Sequence, residues 1–271
     1  MSNPAQRPVL GIDIGGSGIK GAPVDLATGE FAADRLRIDT PKKSTPKHVA
    51  KVVVEIVQHF ADQIADGPVG VTVPAVVIDG VTRSAANIDK SWIGAHARDI
   101  FAEALGREVV LVNDADAAGL AEVQYGAARG NPGKVLLTTL GTGIGTALIY
   151  KGVLVPNTEL GHIEVDGHDA ETKASSGVKD KEGLSYKEWV PRLQRYYEML
   201  EFLTWPDLFV VGGGVSKDSA KFLPLLKINA PIIPAKLLNK AGIIGAAYLA
   251  ADPDQAAARA GTDPAHAGTA D

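Results

Sequence analysis

An α/β protein built in two halves is what the sequence predicts. Three features carry that prediction. Short apolar runs that read as strands alternate with amphipathic stretches at helical spacing. A strand, glycine turn and second strand open the chain over 9–38, and the same grammar returns over 135–154. The chain is 45% hydrophobic and 22% charged, an ordinary globular composition, and its 271 residues suit two modest domains or one large one.

Residues 9–14 read as a buried strand. Gly16-Ser17-Gly18-Ile19-Lys20-Gly21 follows, a literal G-x-G-x-x-G. A dinucleotide site needs a helix directly after such glycines. Here Gly21, Pro23 and Gly29 would break any helix. The segment reads instead as strand, turn at 27–30 and strand at 31–38, so the glycines sit in a β-hairpin. A Walker loop is absent as well. Next comes a helix over 46–65, with Ser44 or Thr45 as cap and Pro46 in the first turn. Val49, Val52, Val53, Ile56, Val57, Phe60 and Ile64 form its apolar stripe. A strand over 69–73, a hairpin at Asp79-Gly80, a helix over 94–105 and a strand over 109–112 follow. That strand runs into Asn113-Asp114 and a helix over 116–128.

Gly130-Asn131-Pro132-Gly133 reads as the connector. The second half then gives strand, glycine turn, strand, turn and strand, and Gly141 aligns with Gly15. Two such turns are expected to face each other across a cleft between domains. Further elements are a helix over 186–203, a strand over 207–211, a helix after Gly212-Gly213-Gly214, a short strand over 231–235 and an apolar helix over 241–251. Expected boundaries are 1–130 and 131–251, with the last helix able to pack back on the first domain. The tail over 252–271 is rich in Ala, Asp, Pro, Gly and Thr and is expected to be disordered.

Charge and composition exclude several classes. The net charge is −5, which leaves no broad basic field for nucleic acid. With no cysteine, disulfides, thiolate catalysis and zinc–thiolate sites are ruled out. No signal-peptide pattern opens the chain, and no apolar run reaches about 18 residues. The expectation is a soluble cytoplasmic protein without membrane or nucleic-acid partners.

Several residues could carry chemistry. Asp13 ends a strand at the mouth of the Gly15-Gly16 turn. Glycine lets backbone N–H groups converge on an anion, and an adjacent carboxylate can hold Mg²⁺ through water. Ordering the hairpin turn is the other role open to Asp13. The second turn, Gly141-Thr142-Gly143, favours the phosphate role, because two turns can grip both ends of a phosphate chain. Lys20 could add charge or point to solvent. Asp114 stands where a strand meets a helix; it could take a proton from an attacking hydroxyl or simply cap the helix. Glu159, His162, Glu164, Asp166, His168, Asp169 and Glu171 crowd one segment. Sugar recognition, a His/carboxylate metal site and a plain polar loop all remain open for it. Lys42-Lys43, Lys47, Lys51 and the run from Lys173 to Arg195 offer cations to a long anionic donor.

Together these motifs resemble the ROK family of sugar kinases. Asp13-Ile14-Gly15-Gly16-Ser17 with Lys20 resembles the family's first phosphate motif, and Leu140 to Gly145 its second. Asn113 to Ala118 resembles its catalytic segment. Glu159-Leu160-Gly161-His162 matches its E-x-G-H sugar motif. Val210 to Val215 resembles its nucleotide-side glycine motif, and Ala241 to Ala247 its closing helix. The six run in the family's order from residue 9 to 251.

The resemblance implies an actin/hexokinase/Hsp70-like (ribonuclease H-like) α/β fold of two domains around a cleft. It implies Asp114 as the base for the sugar 6-hydroxyl. Asn87, Asp114, Glu159, His162 and Glu171 would bind sugar hydroxyls, and Asp13 would face Mg²⁺. Gly15, Gly16, Ser17, Lys20, Thr142, Gly143, Gly213 and Gly214 would serve the donor. The family usually carries zinc-binding cysteines after E-x-G-H; this sequence has none, so structural zinc is not expected. The shortened segment 162–176 resembles the polyphosphate-dependent glucokinases of the family. The implied reaction moves a phosphoryl group from polyphosphate or ATP to glucose or mannose. An ATP-only glucokinase, an N-acylhexosamine kinase and a non-sugar actin-like or Hsp70-like ATPase are the rivals. A ROK repressor would need a helix-turn-helix ahead of residue 9, where little room is left. Monomer and homodimer are both compatible with the sequence.

Overall fold

The computed structural model describes residues 7–86 and 88–252. Asn87, implied as a sugar contact, and the tail beyond Asp252 lie outside the described residues. The chain forms two compact units. One holds the residues up to Ala118 together with those from Gly242 onward, and the other is Gly119–Ala241. The division therefore falls inside a helix, earlier than the expected 130, and the last helix belongs to the first unit.

In the first unit the sheet is built from β1 (Val9–Ile14), β2 (Gly18–Asp25), β3 (Glu30–Phe31), β4 (Leu36–Asp39) and β5 (Val69–Val73), with a strand over Val109–Asn113 at its far edge. Two short strands, β6 (Val77–Ile78) and β7 (Val81–Thr82), form a separate hairpin, so the edge strand is β8. The main order is β3-β2-β1-β5-β8, with β4 also on β2. β1 and β2 are antiparallel, whereas β1, β5 and β8 run parallel. The β6–β7 turn places Asp79 and Gly80 at φ 53° and 78°, the left-handed pair that a two-residue hairpin demands. The single strand expected over 31–38 is broken in two between Phe31 and Leu36.

Helix α1 (Pro46–His59) begins with Pro46 at its first position, as its fixed φ favours. It stops at His59 rather than 65, yet Phe60 and Ile64 stay buried. The apolar pattern runs past the helix because the following turns also face the core. α2 (Ala97–Leu105) ends on Gly106 at φ 62°, and α3 (Asp114–Gln124) starts directly from β8. α1, α2 and the sheet enclose a core that includes Ile12, Val53, Phe60, Val71, Trp92 and Phe101.

The second unit repeats this plan. β9 (Lys134–Leu140), β10 (Ile144–Tyr150) and β11 (Val153–Val155) are antiparallel neighbours. A short hairpin, β12 (Glu164–Val165) and β13 (His168–Asp169), follows. Then come α4 (Glu171–Ala174), α5 (Ser176–Lys181), α6 (Tyr186–Thr204), β14 (Leu208–Gly212) and β15 (Ile232–Pro234). Sheet order is β11-β10-β9-β14-β15, with β14 parallel to both β9 and β15. An antiparallel set of strands followed by parallel ones is thus the rule in both halves. The expected helix after Gly214 is a 3-10 helix over Gly214–Lys221.

α6 starts with a reciprocal cap. Ser185 Oγ accepts the Glu188 N–H, and the Glu188 carboxylate accepts the Ser185 N–H. The helix lays Trp189, Leu193, Tyr196, Tyr197 and Leu200 on the sheet beside Phe209 and Phe222. Within this unit the buried carboxylate of Glu122 accepts N–H bonds from Ala127, Lys236 and Leu237. Three backbone donors make that burial tolerable.

Finally, α7 (Ala241–Ala251) lies directly against the first sheet. A Cβ added at Gly11 would overlap the Ile243 carbonyl, and one at Gly70 would overlap the Ala246 carbonyl. Glycine in these strands marks close backbone approach.

Candidate active site

In the first unit, chemistry gathers at the carboxyl ends of the parallel strands, where α/β sheets commonly place function. The β1–β2 turn spans residues 15–17 and closes with the Gly15 N–H on the Gly18 carbonyl, 3.1 Å. Thr40 Oγ1 donates to the Gly15 carbonyl at 2.6 Å, and Arg37 donates to the Ser17 carbonyl at 3.0 Å. The turn's carbonyls are thereby held from behind.

Asp13 pairs in register with Lys20 on β2 and Thr72 on β5. Thr72 Oγ1 donates to Asp13 Oδ1 at 2.9 Å, and Lys20 Nζ stands 3.7 Å from Oδ2. Lys20 is therefore an ion-pair partner of Asp13 rather than a solvent-facing lysine. Gly242, in the first turn of α7, also borders this carboxylate: a Cβ there would stand 3.3 Å from Oδ1.

Thr72 is itself level with Val112 on β8, so Asp114 lies two residues beyond that row. At a strand spacing of about 4.8 Å, the two spacings across β5 separate the Asp13 and Asp114 chains by roughly 10 Å. Asn113 resolves the question of capping. Its Oδ1 accepts the Ala115 and Asp116 N–H groups at 2.8 and 3.1 Å, and its Nδ2 donates to the Ala75 carbonyl. Asp114, half-buried, also accepts the Ala115 N–H at 2.8 Å. Asn113 thus caps the helix, and Asp114 stands half-buried at its first residue.

In the second unit the β9–β10 turn spans 141–143. Its Gly141 carbonyl accepts the Gly177 N–H at 2.8 Å and Ser176 Oγ at 3.0 Å. Gly177 presses on Thr142, where a Cβ would come within 2.9 Å of its Cα. Gly213, at φ 83°, touches the Leu140 carbonyl so closely that no side chain fits. The Gly213-Gly214 turn and the 141–143 turn are thus neighbours.

The carboxylate-rich segment folds onto the same place. Glu171 Oε2 accepts the Ile144 N–H at 3.0 Å, and an added Cβ at Gly143 would overlap this carboxylate. Gly161 packs on the Ile144 carbonyl with no room for a side chain. That contact fixes the Glu159–His162 turn to β10. His162 Nδ1 lies 2.9 Å from Asp169 Oδ2 and 4.0 Å from Glu171 Oε1, and its Nε2 lies 4.0 Å from Glu159 Oε2.

Electrostatics follow from this crowding. The hydrogen bond to Asp169, aided by the charges of Glu171, Asp169 and Glu159, raises the His162 pKa against a smaller opposing effect of burial. Burial raises the Glu159 pKa, with Glu171 adding to it and His162 opposing. A protonated His162 donates from Nε2, and an ionised Glu159 accepts; both together suit a pair of vicinal hydroxyls. Hydroxyl binding should weaken as pH rises through the His162 pKa, above the usual 6.5. It should also weaken as pH falls through the Glu159 pKa, above the usual 4.5. A plot of glucose affinity against pH is expected to be bell-shaped, and Glu159→Gln should remove its acid limb. A flat profile would contradict the assignment.

Among the predicted residues, Asp13, Gly15, Lys20 and Asp114 share one sheet end. Glu159, His162, Glu171, Thr142, Gly143 and Gly213 share a second cluster within the other unit. Thr72, Asp169 and Ser176 support these clusters without having been assigned roles. The hairpin dipeptide Asp166-Gly167 is the sequence signal from which the place of Asp169 could have been read. Among the described residues no group of three or more His, Cys, Asp or Glu is arranged to hold a metal ion. No helix among them is long and apolar enough to cross a membrane. Several cations of the 173–195 run are engaged: Arg192 with Glu182, Arg195 with Asp166 and Glu198, and Lys179 with Asp180.

The ROK family model matches residues 9–180. Polyphosphate glucokinase of Mycobacterium tuberculosis is 53% identical over 243 residues, covering 89% of this chain and 91% of the relative. Polyphosphate glucokinase of Mycobacterium leprae is 51% identical, covering 88% and 73%. The crystal structure of inorganic polyphosphate/ATP-glucomannokinase from Arthrobacter sp. strain KM superposes with a TM-score of 0.86 at 52% identity, covering 91% of this chain and 99% of that one.

Proposed function

Because the chain belongs to the ROK family of actin/hexokinase-like fold, we propose that it is a phosphotransferase moving the terminal phosphoryl group of inorganic polyphosphate, and of ATP, to the 6-hydroxyl of glucose, with mannose also accepted. One observation carries the reading. Relatives named polyphosphate glucokinase are 53% identical over nearly the whole chain, and the Glu159–His162–Glu171 cluster that would read sugar hydroxyls is assembled around the second glycine turn.

Each residue then has a task. Glu159, His162 and Glu171, with Asn87, bind hydroxyls and fix the sugar. Asp114 accepts the proton of the 6-hydroxyl as its oxygen attacks the terminal phosphorus and the bridging P–O bond to the donor breaks. N–H groups of the 15–17 and 141–143 turns stabilise the charge on the transferring group. Gly213-Gly214 flanks the rest of the donor. Asp13 fits a Mg²⁺ that keeps its waters and takes its other ligands from substrate phosphates: it is a single, partly exposed carboxylate with Thr72 on one oxygen. That ion would neutralise phosphate oxygens when bound.

Calorimetric titration with glucose separates this reading from a non-sugar ATPase. Wild-type protein is expected to bind glucose and Glu159→Gln to bind it at least about tenfold more weakly, the size of one charged hydrogen bond. No heat with glucose or mannose would overturn the sugar reading.

A further inference from the structure

The short hairpin after the sugar motif holds a residue whose contacts exceed those of a loop. β12 and β13 are joined by Asp166 and Gly167, at φ 52° and 78°. Arg195, on α6, grips the Asp166 carboxylate with bonds of 3.0 and 2.9 Å. At the other end the Ala170 N–H reaches the Ile163 carbonyl, 2.9 Å. The hairpin is thus pinned at tip and base. Its last residue, Asp169, emerges beside the imidazole of His162, 2.9 Å from Nδ1. Asp169 Oδ1 also accepts the Glu171 N–H at 3.2 Å, and its carbonyl accepts Thr172 Oγ1 at 2.6 Å.

We propose that Asp169 is the positioning residue of the sugar site, committing His162 Nδ1–H to its carboxylate so that Nε2 is presented to the ligand beside Glu159. The proposal rests on the sugar-kinase reading for its meaning, though not for its geometry. An imidazole rotates freely about its side-chain bonds unless one nitrogen is held, and the held nitrogen decides what the other offers. Three acids face this ring: Glu159 ahead of the turn, Asp169 on β13 and Glu171 on α4. Only Asp169 is within hydrogen-bond distance. The other two remain for hydroxyls. Asp169 acts through His162 and Glu171 rather than on the sugar itself. Arg195, by holding the hairpin tip, supports Asp169 at one remove.

The test compares Asp169→Asn, Asp169→Glu and Arg195→Ala by steady-state kinetics and by NMR titration of histidine side chains, with His162→Gln to assign the signal. For Asp169→Asn, glucose KM is expected to rise about tenfold, the worth of one charge-assisted hydrogen bond, with kcat changed less than about twofold. The His162 titration midpoint should fall toward that of an ordinary histidine. Asp169→Glu should restore part of both effects, and Arg195→Ala should move KM the same way by less. An unmoved midpoint in Asp169→Asn, or a fall in kcat with KM unchanged, would overturn the proposal. Should the wild-type protein phosphorylate no sugar, the kinase reading fails, while the NMR midpoint still decides the role of Asp169. If Asp169→Asn does not fold, the same midpoint measured in Asp169→Ser, which also lacks the carboxylate, decides it.

Discussion

Asp114→Asn is expected to lose roughly 10²–10⁴ in kcat, the range for a positioned general base, while keeping its melting temperature. The chemistry explains the loss. A primary hydroxyl is a poor nucleophile until its proton has somewhere to go, and an amide cannot take it. The structure explains the retained fold. Asn113, not Asp114, caps α3 through the Ala115 and Asp116 N–H groups. The Ala115 N–H bond that Asp114 accepts can be accepted equally by the amide oxygen of asparagine. Initial rates of glucose 6-phosphate formation, with thermal unfolding alongside, check this. Glucose binding by calorimetry should stay within a few fold. Near-normal turnover would remove Asp114 from the base role, and an early melt would reassign it to structure.

Gly70→Ala should be among the most damaging single methyls in the first unit. The new Cβ would occupy the space of the Ala246 carbonyl, and Gly11→Ala would do the same to the Ile243 carbonyl. Neither neighbour is a side chain that can rotate away. Relief requires α7 to lift from β1 and β5, which also disturbs Gly242 beside Asp13. Overpacking usually costs about 1–3 kcal/mol; a collision with backbone belongs at or above the top of that range. Gly152→Ala is the control. It sits at φ 80° with open space around its Cβ, so it should cost only about 1 kcal/mol, from backbone strain. Chemical denaturation of the three variants checks the order. Equal stabilities for Gly70→Ala and Gly152→Ala would show that α7 does not pack as described.

Local pattern made much of this legible. The strand over 69–73 and the helix over 241–251 stand where apolar runs and their flanks put them. The Asp79-Gly80 hairpin follows from turn chemistry alone. Breaking a G-x-G-x-x-G with Gly21 and Pro23 correctly read a hairpin in place of a strand–helix junction. What failed was long-range. The sequence allows the last helix to pack back on the first domain, but nothing near Gly11 or Gly70 marks them as the residues it lies on. In the sequence Lys20 stays open between adding charge and facing solvent because its partner, Asp13, is set by hairpin register. Asp169 was one acid among many until the Asp166-Gly167 turn and Arg195 singled it out. α1 ends early because buried turns can carry the same apolar period as a helix.

Side-by-side assay of glucose 6-phosphate with polyphosphate and with ATP tests the central claim most directly. Wild-type protein with Mg²⁺ should form the product from both donors, and Asp114→Asn should suppress both rates by the same factor. Product from ATP alone would contradict the donor assignment, and no product from either donor would contradict the proposed function.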